Sequence, residues 1–215
     1  MLKLLLGLHI AFGSLTLIGL LVALASRKGG LWHRRAGKLF SSAMGVSLMA
    51  ALLLSVATSN EMLLSIAVFS AYLVYTGWRV GARRASDFSR TDRASVGVML
   101  ATAVLMVLLA TTMLQSADTM GITVAVFALI GGGFAIADLR RTKQGWPTGS
   151  ERLSLHVARM GGASIATLTA VLVVNVETDP EFIAWLLPTV LVTPAIVYWI
   201  RRVRSGRVTP GSGRP

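Results

Sequence analysis

The chain alternates between long apolar runs and short polar gaps. A transmembrane helix needs about 20 mostly apolar residues, because it must cross about 30 Å of hydrocarbon at a rise of about 1.5 Å per residue. Seven runs in this sequence are that long, and we predict that each forms one transmembrane helix. Their expected bounds are 4–25, 39–58, 62–80, 95–116, 120–139, 153–176 and 182–200.

Composition supports the same interpretation. Apolar residues make up 54% of the 215 positions and charged residues only 14%, and the mean hydropathy is +0.69. A water-soluble fold needs a more polar surface than this, so soluble globular, disordered, collagenous and nucleic-acid-binding classes are excluded. The chain contains no cysteine, which excludes disulfides, thiolate metal sites and cysteine nucleophiles.

The gaps between the runs are too short to hold a soluble domain. We therefore predict an all-α protein with a single membrane domain over residues 1–200, built as a bundle of seven transmembrane helices. The basic segment 201–215 has too few apolar residues to bury anything, and we predict that it is disordered.

Basic residues lie on alternate gaps, and this predicts the orientation. Of the 21 lysines and arginines, 19 lie in the first, third and fifth gaps and in the tail, whereas the second, fourth and sixth gaps carry only acids. Basic loops remain in the cytoplasm. The amino terminus is therefore expected outside and the carboxyl terminus inside, with the basic loops in contact with anionic lipid.

Aromatic, glycine and capping residues have expected structural roles. Seven aromatic residues near the run ends are predicted to form a belt at the membrane interface. Three consecutive glycines at 131–133 are predicted to let neighbouring helices approach closely. Thr148 and Glu151 match a capping box before the sixth run. The belt residues are Tyr72, Tyr75, Trp78, Trp146, Trp185, Tyr198 and Trp199.

Ionisable residues within membrane helices are costly and are candidates for function. His33 opens the second run in an HRRxG motif, and His156 opens the sixth in an HxxRMGG motif that includes Arg159. Both motifs lie at the predicted cytoplasmic face. Asp138 ends the fifth run on the same side.

These residues predict a site near the cytoplasmic face, with two alternatives for its chemistry. His33, His156 and Asp138 together would hold a divalent metal and leave a position open for water or substrate. His33 and His156 would instead ligate a haem b axially, with Arg159 or Arg34 near its propionates. A third reading places the residues in the headgroup zone with no ligand.

Two further polar residues belong to the opposite, outer side. His9 lies within the first run, about 24 Å from its cytoplasmic end at the helical rise per residue, so a site with all three histidines is not expected. Asn175, near the end of the sixth run, is a candidate partner for His9, and Gln115 and Asp118 are the alternatives.

Several segments together resemble a family of bacterial integral membrane proteins of unknown function. The resemblance implies a bacterial cytoplasmic (inner) membrane location and a shared importance of the histidines, but no activity. A weaker similarity to two-histidine transmembrane haem cytochromes lacks their second histidine pair. The segments are Leu8-His9, Trp32 to Lys38, His156 to Ala170, Trp185 to Thr189, Thr193-Pro194 and Tyr198-Trp199.

Three classes of function stay open on the sequence. The first is a redox or metal-dependent membrane protein that uses His33 and His156. The second is a small proton-coupled transporter or permease whose polar path includes His9, Asp138 and Arg159. The third is a non-catalytic membrane component. No motif identifies a catalytic residue or a nucleic-acid partner.

Overall fold

The computed structural model describes residues 1–82 and 87–206. Within these ranges the chain forms seven α-helices and no strand, which confirms the predicted all-α class. The helices are α1 (Leu2–Ala25), α2 (Leu31–Ala57), α3 (Glu61–Ala82), α4 (Arg90–Gln115), α5 (Met120–Gln144), α6 (Gly149–Asn175) and α7 (Phe182–Arg204). All seven are long and apolar enough to cross a membrane.

The helices extend beyond the apolar runs, mainly at the ends that carry basic residues. α2 begins at Leu31 rather than at residue 39, and α5 continues to Gln144. Hydropathy marks only the part of a helix that fits hydrocarbon, whereas the backbone hydrogen bonds continue into the headgroup region. For the same reason α7 includes Arg201 to Arg204, the first residues of the predicted tail. The rest of that tail, 207–215, and the loop residues Arg83 and Arg84 lie outside the described residues.

Neighbouring helices pack antiparallel, and α3 lies at the centre of the bundle. His9 contacts Ser47 near one end of the α1–α2 pair, and Ala23 contacts His33 near the other. α3 contacts α2, α4, α5 and α6, and the membrane-spanning part of α3 is the most buried of the seven. α1 and α7 are the least buried, so they expose most apolar surface to the surroundings.

Glycines allow the closest helix contacts. A Cβ at Gly19 would lie 2.8 Å from the backbone nitrogen of Phe40, so α1 and α2 touch at main-chain level. A Cβ at Gly131 would lie 2.5 Å from the Met99 methyl, which confirms a packing role for this glycine. Gly133 has open space beside it. Close approach of this kind favours association where apolar lipid removes the hydrophobic drive.

The predicted capping box does not form. Thr148 is the N-cap of α6, but its side chain accepts no capping hydrogen bond, and Glu151 binds Arg141 instead. A complete capping box is present at the start of α4, between Ser89 and Asp92. The Asp92 carboxylate also binds Arg79 of α3, so this cap joins two helices.

Candidate functional site: polar clusters at the basic end of the bundle

The polar side chains of interest lie at one end of the bundle, where α1, α3, α5 and α7 end and α2, α4 and α6 begin. We call this the basic end. His33 lies in the first turn of α2, half-buried, and its Nδ1 is 3.1 Å from the carbonyl oxygen of Ala23. The Lys28 ammonium donates to the same carbonyl at 3.0 Å and to that of Leu24 at 2.7 Å. Partial burial lowers the pKa of Lys28 below its ordinary value.

His156 is held in the same way by a different helix. Its Nδ1 is 3.0 Å from the carbonyl oxygen of Gly77 in α3. Gly81, one turn further along α3, leaves room for the ring, since a Cβ there would lie 2.5 Å from Nδ1. A carbonyl oxygen can only accept, so in both histidines Nδ1 carries the proton and donates it.

The two imidazoles lie at the same end of the bundle, His33 in the first turn of α2 and His156 near the start of α6. The electrostatic effect of His33 reaches His156, as does that of Arg152, but no hydrogen bond joins the two rings among the described residues. In the part of the chain that the structure describes, Nε2 of neither histidine has a hydrogen-bond partner. A neutral imidazole with Nδ1 protonated has a lone pair on Nε2, so the pair offers two nitrogen ligands. We call His33 and His156 the histidine pair.

Asp138 does not join the histidine pair. One carboxylate oxygen accepts hydrogen bonds from Arg159 at 2.8 Å and Arg141 at 3.2 Å, and the other accepts one from the Tyr72 hydroxyl. Among the described residues no three His, Asp or Glu side chains form a group that could hold a metal ion. The predicted trio of His33, His156 and Asp138 is therefore not assembled, because the carboxylate is engaged by α3 and α6.

Arg159 is the most deeply buried charged residue described, with 1% of its surface exposed. Its guanidinium lies 3.8 Å from the centre of the Phe134 ring and 5.5 Å from that of Tyr72. One terminal nitrogen, Nη2, binds Asp138 at 2.8 Å. The other, Nη1, has no hydrogen-bond partner among the described residues. Arg159 is therefore the ion-pair partner of Asp138. The structure does not place its guanidinium beside the histidine pair, where the predicted haem propionates would lie.

A second buried ion pair was not anticipated from the sequence. Arg79 of α3 binds Asp92 of α4 through Nε at 2.6 Å and also through Nη2. The Arg79 guanidinium lies 5.4 Å from the ring centre of Trp146. One feature of the sequence could have indicated this pair. Ser89-x-x-Asp92 has the spacing of a capping box, which places the Asp92 carboxylate at the start of α4, near the end of α3.

Both ion pairs line one small cavity of about 30 Å³, which we call the arginine cavity. Its charged lining is Arg79, Asp92, Asp138, Arg141 and Arg159, and its outer wall includes Phe88, Trp146 and Pro147. Tyr72 and Trp146 are buried, with 4% and 9% of their surface exposed. The prediction that both belong to an interfacial belt is therefore wrong, because each packs on an arginine inside the bundle.

His9 and Asn175 lie toward the opposite end of the bundle. Nδ1 of His9 is 3.0 Å from both the carbonyl oxygen and the hydroxyl oxygen of Ser47, and that hydroxyl donates to the His9 carbonyl at 3.0 Å. Asn175 is exposed and donates to the Val171 carbonyl of its own helix at 2.7 Å. His9 therefore joins α1 to α2, and the predicted contact with Asn175 is not made.

No protein-family model matches the chain, and no curated protein or solved structure is significantly similar to it. The resemblance to a bacterial membrane protein family, and with it the bacterial origin, stays a prediction based on the motifs.

Proposed function

We propose that this membrane protein binds a haem b through the histidine pair and acts in electron transfer. The proposal rests on one observation, which is that His33 and His156 lie at the same end of the bundle and each donates Nδ1–H to a backbone carbonyl. Histidines that ligate metals usually donate the other ring N–H in this way, which fixes the ring and its tautomer and makes the ligand nitrogen more basic.

The number of ligands favours haem over a single divalent ion. Protein zinc sites use three or four protein ligands, whereas the described residues bring only two histidines together and Asp138 is engaged elsewhere. A haem held by His33 and His156 would need no third protein ligand. When bound, the haem would supply one-electron redox chemistry.

The surrounding residues position the two ligands. The carbonyls of Ala23 and Gly77 orient the rings, and Gly81 leaves the space that the His156 ring occupies. His33 comes from α2 and His156 from α6, which have no close backbone contact and meet through side chains such as Thr167 and Met44. A group ligated by both histidines would add a connection between the two helices at the basic end.

Absorption spectroscopy of the purified protein tests this proposal. Protein from haem-replete cells is expected to show a Soret band that is lost in His33→Ala and in His156→Ala. His9→Ala serves as the control, because His9 binds Ser47 far from the pair, and it should keep the band. A colourless wild-type protein, or a band that survives both substitutions, would contradict the proposal. In a colourless protein, elemental analysis would show whether a divalent metal is bound instead.

Proton-coupled transport is a second candidate, and the buried Asp138–Arg159 pair favours it. Asp138 connects α5 to α6 through Arg159 and to α3 through Tyr72, so protonation of the carboxylate would release contacts among three helices. Intramembrane carboxylates of this kind occur in proton relays. The proton path would not include His9, because its ring is hydrogen-bonded to Ser47 toward the opposite end of the bundle. Substrate-driven proton movement in proteoliposomes that is lost in Asp138→Asn would favour this function.

We further propose that the basic end faces the cytoplasm of a bacterial cell, with its arginines on anionic lipid. The structure gathers the ends of the basic gaps, including Arg27, Arg34, Arg90 and Arg201, at one end of the bundle. Support for the orientation comes from the rule that basic loops are retained in the cytoplasm.

A further inference from the structure

We propose that the turn between α1 and α2 holds one anionic glycerophospholipid in a groove beside Trp32. The inference deepens the proposed contact of the basic end with anionic lipid, on which it rests, because it assigns a discrete site. The groove has a volume of about 540 Å³, within the range of about 300 to 1,000 Å³ that is usual for small-molecule sites. It lies where α1 ends and α2 begins, and its lining includes Val22, Arg27, Leu31 and Trp32.

The α1–α2 turn carries positive charge that no neighbouring acid neutralises. Residues 1–60 contain no aspartate or glutamate. The other basic turns differ, because Arg79 is paired with Asp92 and Arg159 with Asp138. Anionic lipid headgroups are the negative charges that a membrane supplies to an unpaired basic cluster at its surface. The basic residues of this turn are Arg27, Lys28, Arg34, Arg35 and Lys38.

Two of these side chains are well placed for a phosphate. Lys28 and Arg34 donate to backbone carbonyls, whereas Arg27 and Arg35 take part in none of the ion pairs found in the described ranges. Arg27 lines the groove, and the Arg35 guanidinium lies 5.8 Å from the centre of the Trp32 ring. A guanidinium group binds phosphate oxygens through two parallel hydrogen bonds, so both residues suit a lipid headgroup.

The apolar wall of the groove favours a lipid over a free phosphate. Trp32 exposes 65% of its surface, and Leu31 and Val22 are also exposed. Ile18, one turn before Val22 on the same face of α1, is exposed as well, so the apolar surface continues from the groove along the helix. An acyl chain would cover this surface while the headgroup contacts Arg27, whereas a free phosphate would leave the apolar wall uncovered.

Native mass spectrometry of the purified protein in detergent tests the proposal. Phosphatidylglycerol, phosphatidylcholine and glycerol phosphate are titrated separately, at an ionic strength of about 0.15 M so that distant exposed charges are screened. We expect one equivalent of phosphatidylglycerol to bind in a saturable way. Its apparent Kd should be lower than that of phosphatidylcholine by at least about fivefold. Glycerol phosphate at the same concentration should not displace it, because it lacks the acyl chains.

Matched arginine variants locate the charge contact. Arg27→Gln and Arg140→Gln each remove one exposed positive charge at the basic end, but Arg140 does not line the groove. Loss of one arginine at a headgroup should raise the Kd for phosphatidylglycerol about fivefold in Arg27→Gln. Arg140→Gln should change it by less than about twofold, because screening weakens distant charges.

Matched tryptophan variants locate the apolar contact. Trp32→Ala removes the exposed ring that lines the groove, and Trp78→Ala removes an exposed ring from α3. We expect a severalfold higher Kd in Trp32→Ala and no change in Trp78→Ala. Both rings are largely exposed, so neither substitution should prevent folding.

Crosslinking of the wild-type protein with a photoactivatable phosphatidylglycerol gives a second measurement that does not depend on variants. Labelling is expected in the segment from Ile18 to Trp32, and excess unmodified phosphatidylglycerol should abolish it. Labelling spread evenly over the basic turns, displacement by glycerol phosphate, or a lipid-free dimer that covers the groove would each overturn the proposal.

The outcomes separate this site from the general lipid contact. A preference for phosphatidylglycerol that Arg27→Gln and Arg140→Gln weaken equally would refute the discrete site and leave the general contact intact. No preference over phosphatidylcholine would refute both. Detergent micelles have no sides and the measurement uses no haem, so the proposed orientation and the haem proposal fail separately from this one.

Discussion

Gly81 lies directly against the ring of His156, because a Cβ built on Gly81 would be 2.5 Å from Nδ1 of the imidazole. A methyl group at this position must displace the ring from the Gly77 carbonyl, its hydrogen-bond partner at 3.0 Å. We therefore expect Gly81→Ala to lower haem content at least severalfold while the bundle stays folded, as measured by the ratio of Soret to protein absorbance. Gly97→Ala is the control, because no atom lies within 4 Å of its Cβ position. Full haem content in Gly81→Ala would show that the ring orientation is not required.

Removing one partner of the Asp138–Arg159 pair should be strongly destabilising. The side chains are 13% and 2% exposed. Asp138→Asn leaves the Arg159 charge buried without a carboxylate, whereas after Arg159→Met the Asp138 carboxylate keeps Arg141 at 3.2 Å. We therefore expect Asp138→Asn to lower the free energy of unfolding by about 3 to 5 kcal/mol and Arg159→Met to lower it by less, measured by denaturant titration in mixed micelles.

The double variant Asp138→Asn/Arg159→Met should lose less than the sum of the two single changes, because it leaves no unpaired charge. Glu177→Gln, in an exposed gap, should change stability by no more than about 0.5 kcal/mol. Strict additivity of the two single changes would mean that the pair does not act as a unit.

Two glycines separated by one residue should respond in opposite directions to alanine. The Cβ of Gly131→Ala would meet the Met99 methyl at 2.5 Å and the Phe69 ring at 2.9 Å, and overpacking of this kind costs about 1 to 3 kcal/mol. Gly133 has nothing within 4 Å, so Gly133→Ala should gain up to about 1 kcal/mol from helix propensity. Thermal unfolding of both variants checks the prediction, and equal effects would contradict the packing of α5.

His9 should contribute to stability and not to the cofactor site. Its hydrogen bonds join α1 to α2 through Ser47, and interhelical hydrogen bonds in membranes contribute about 0.6 kcal/mol on average. His9→Ala and Ser47→Ala should therefore lower stability by similar small amounts and leave the Soret band intact. A loss of haem in either variant would place His9 in the functional site.

Single cysteines can test the orientation, because the chain has none of its own. Ser116→Cys lies in an acidic gap and Gln144→Cys at the basic end, and both positions are exposed. A maleimide that cannot cross membranes should label position 116 in intact cells, and position 144 only after permeabilisation. The reverse pattern would invert the proposed topology.

The seven helices could be predicted from the sequence because a membrane helix satisfies its own backbone hydrogen bonds and needs only enough apolar residues to cross the bilayer. That information is local. Each predicted run lies almost entirely within one helix, and the main differences are the polar turns at the basic end, such as the first turn of α2 that carries His33. Hydropathy cannot mark those turns because they lie outside the hydrocarbon.

Which side chains meet was decided by the tertiary structure. The sequence placed His33, His156, Asp138 and Arg159 at one end of the bundle, but it could not tell that Asp138 faces Arg159 and Tyr72 rather than the histidines. It also treated Trp146 as an interfacial residue, whereas the structure buries it over Arg79. The rotation of each helix about its axis and the choice of its neighbours depend on close packing at residues such as Gly77, Gly81 and Gly131. Those contacts join segments far apart in the chain, and no local pattern of hydropathy or charge records them.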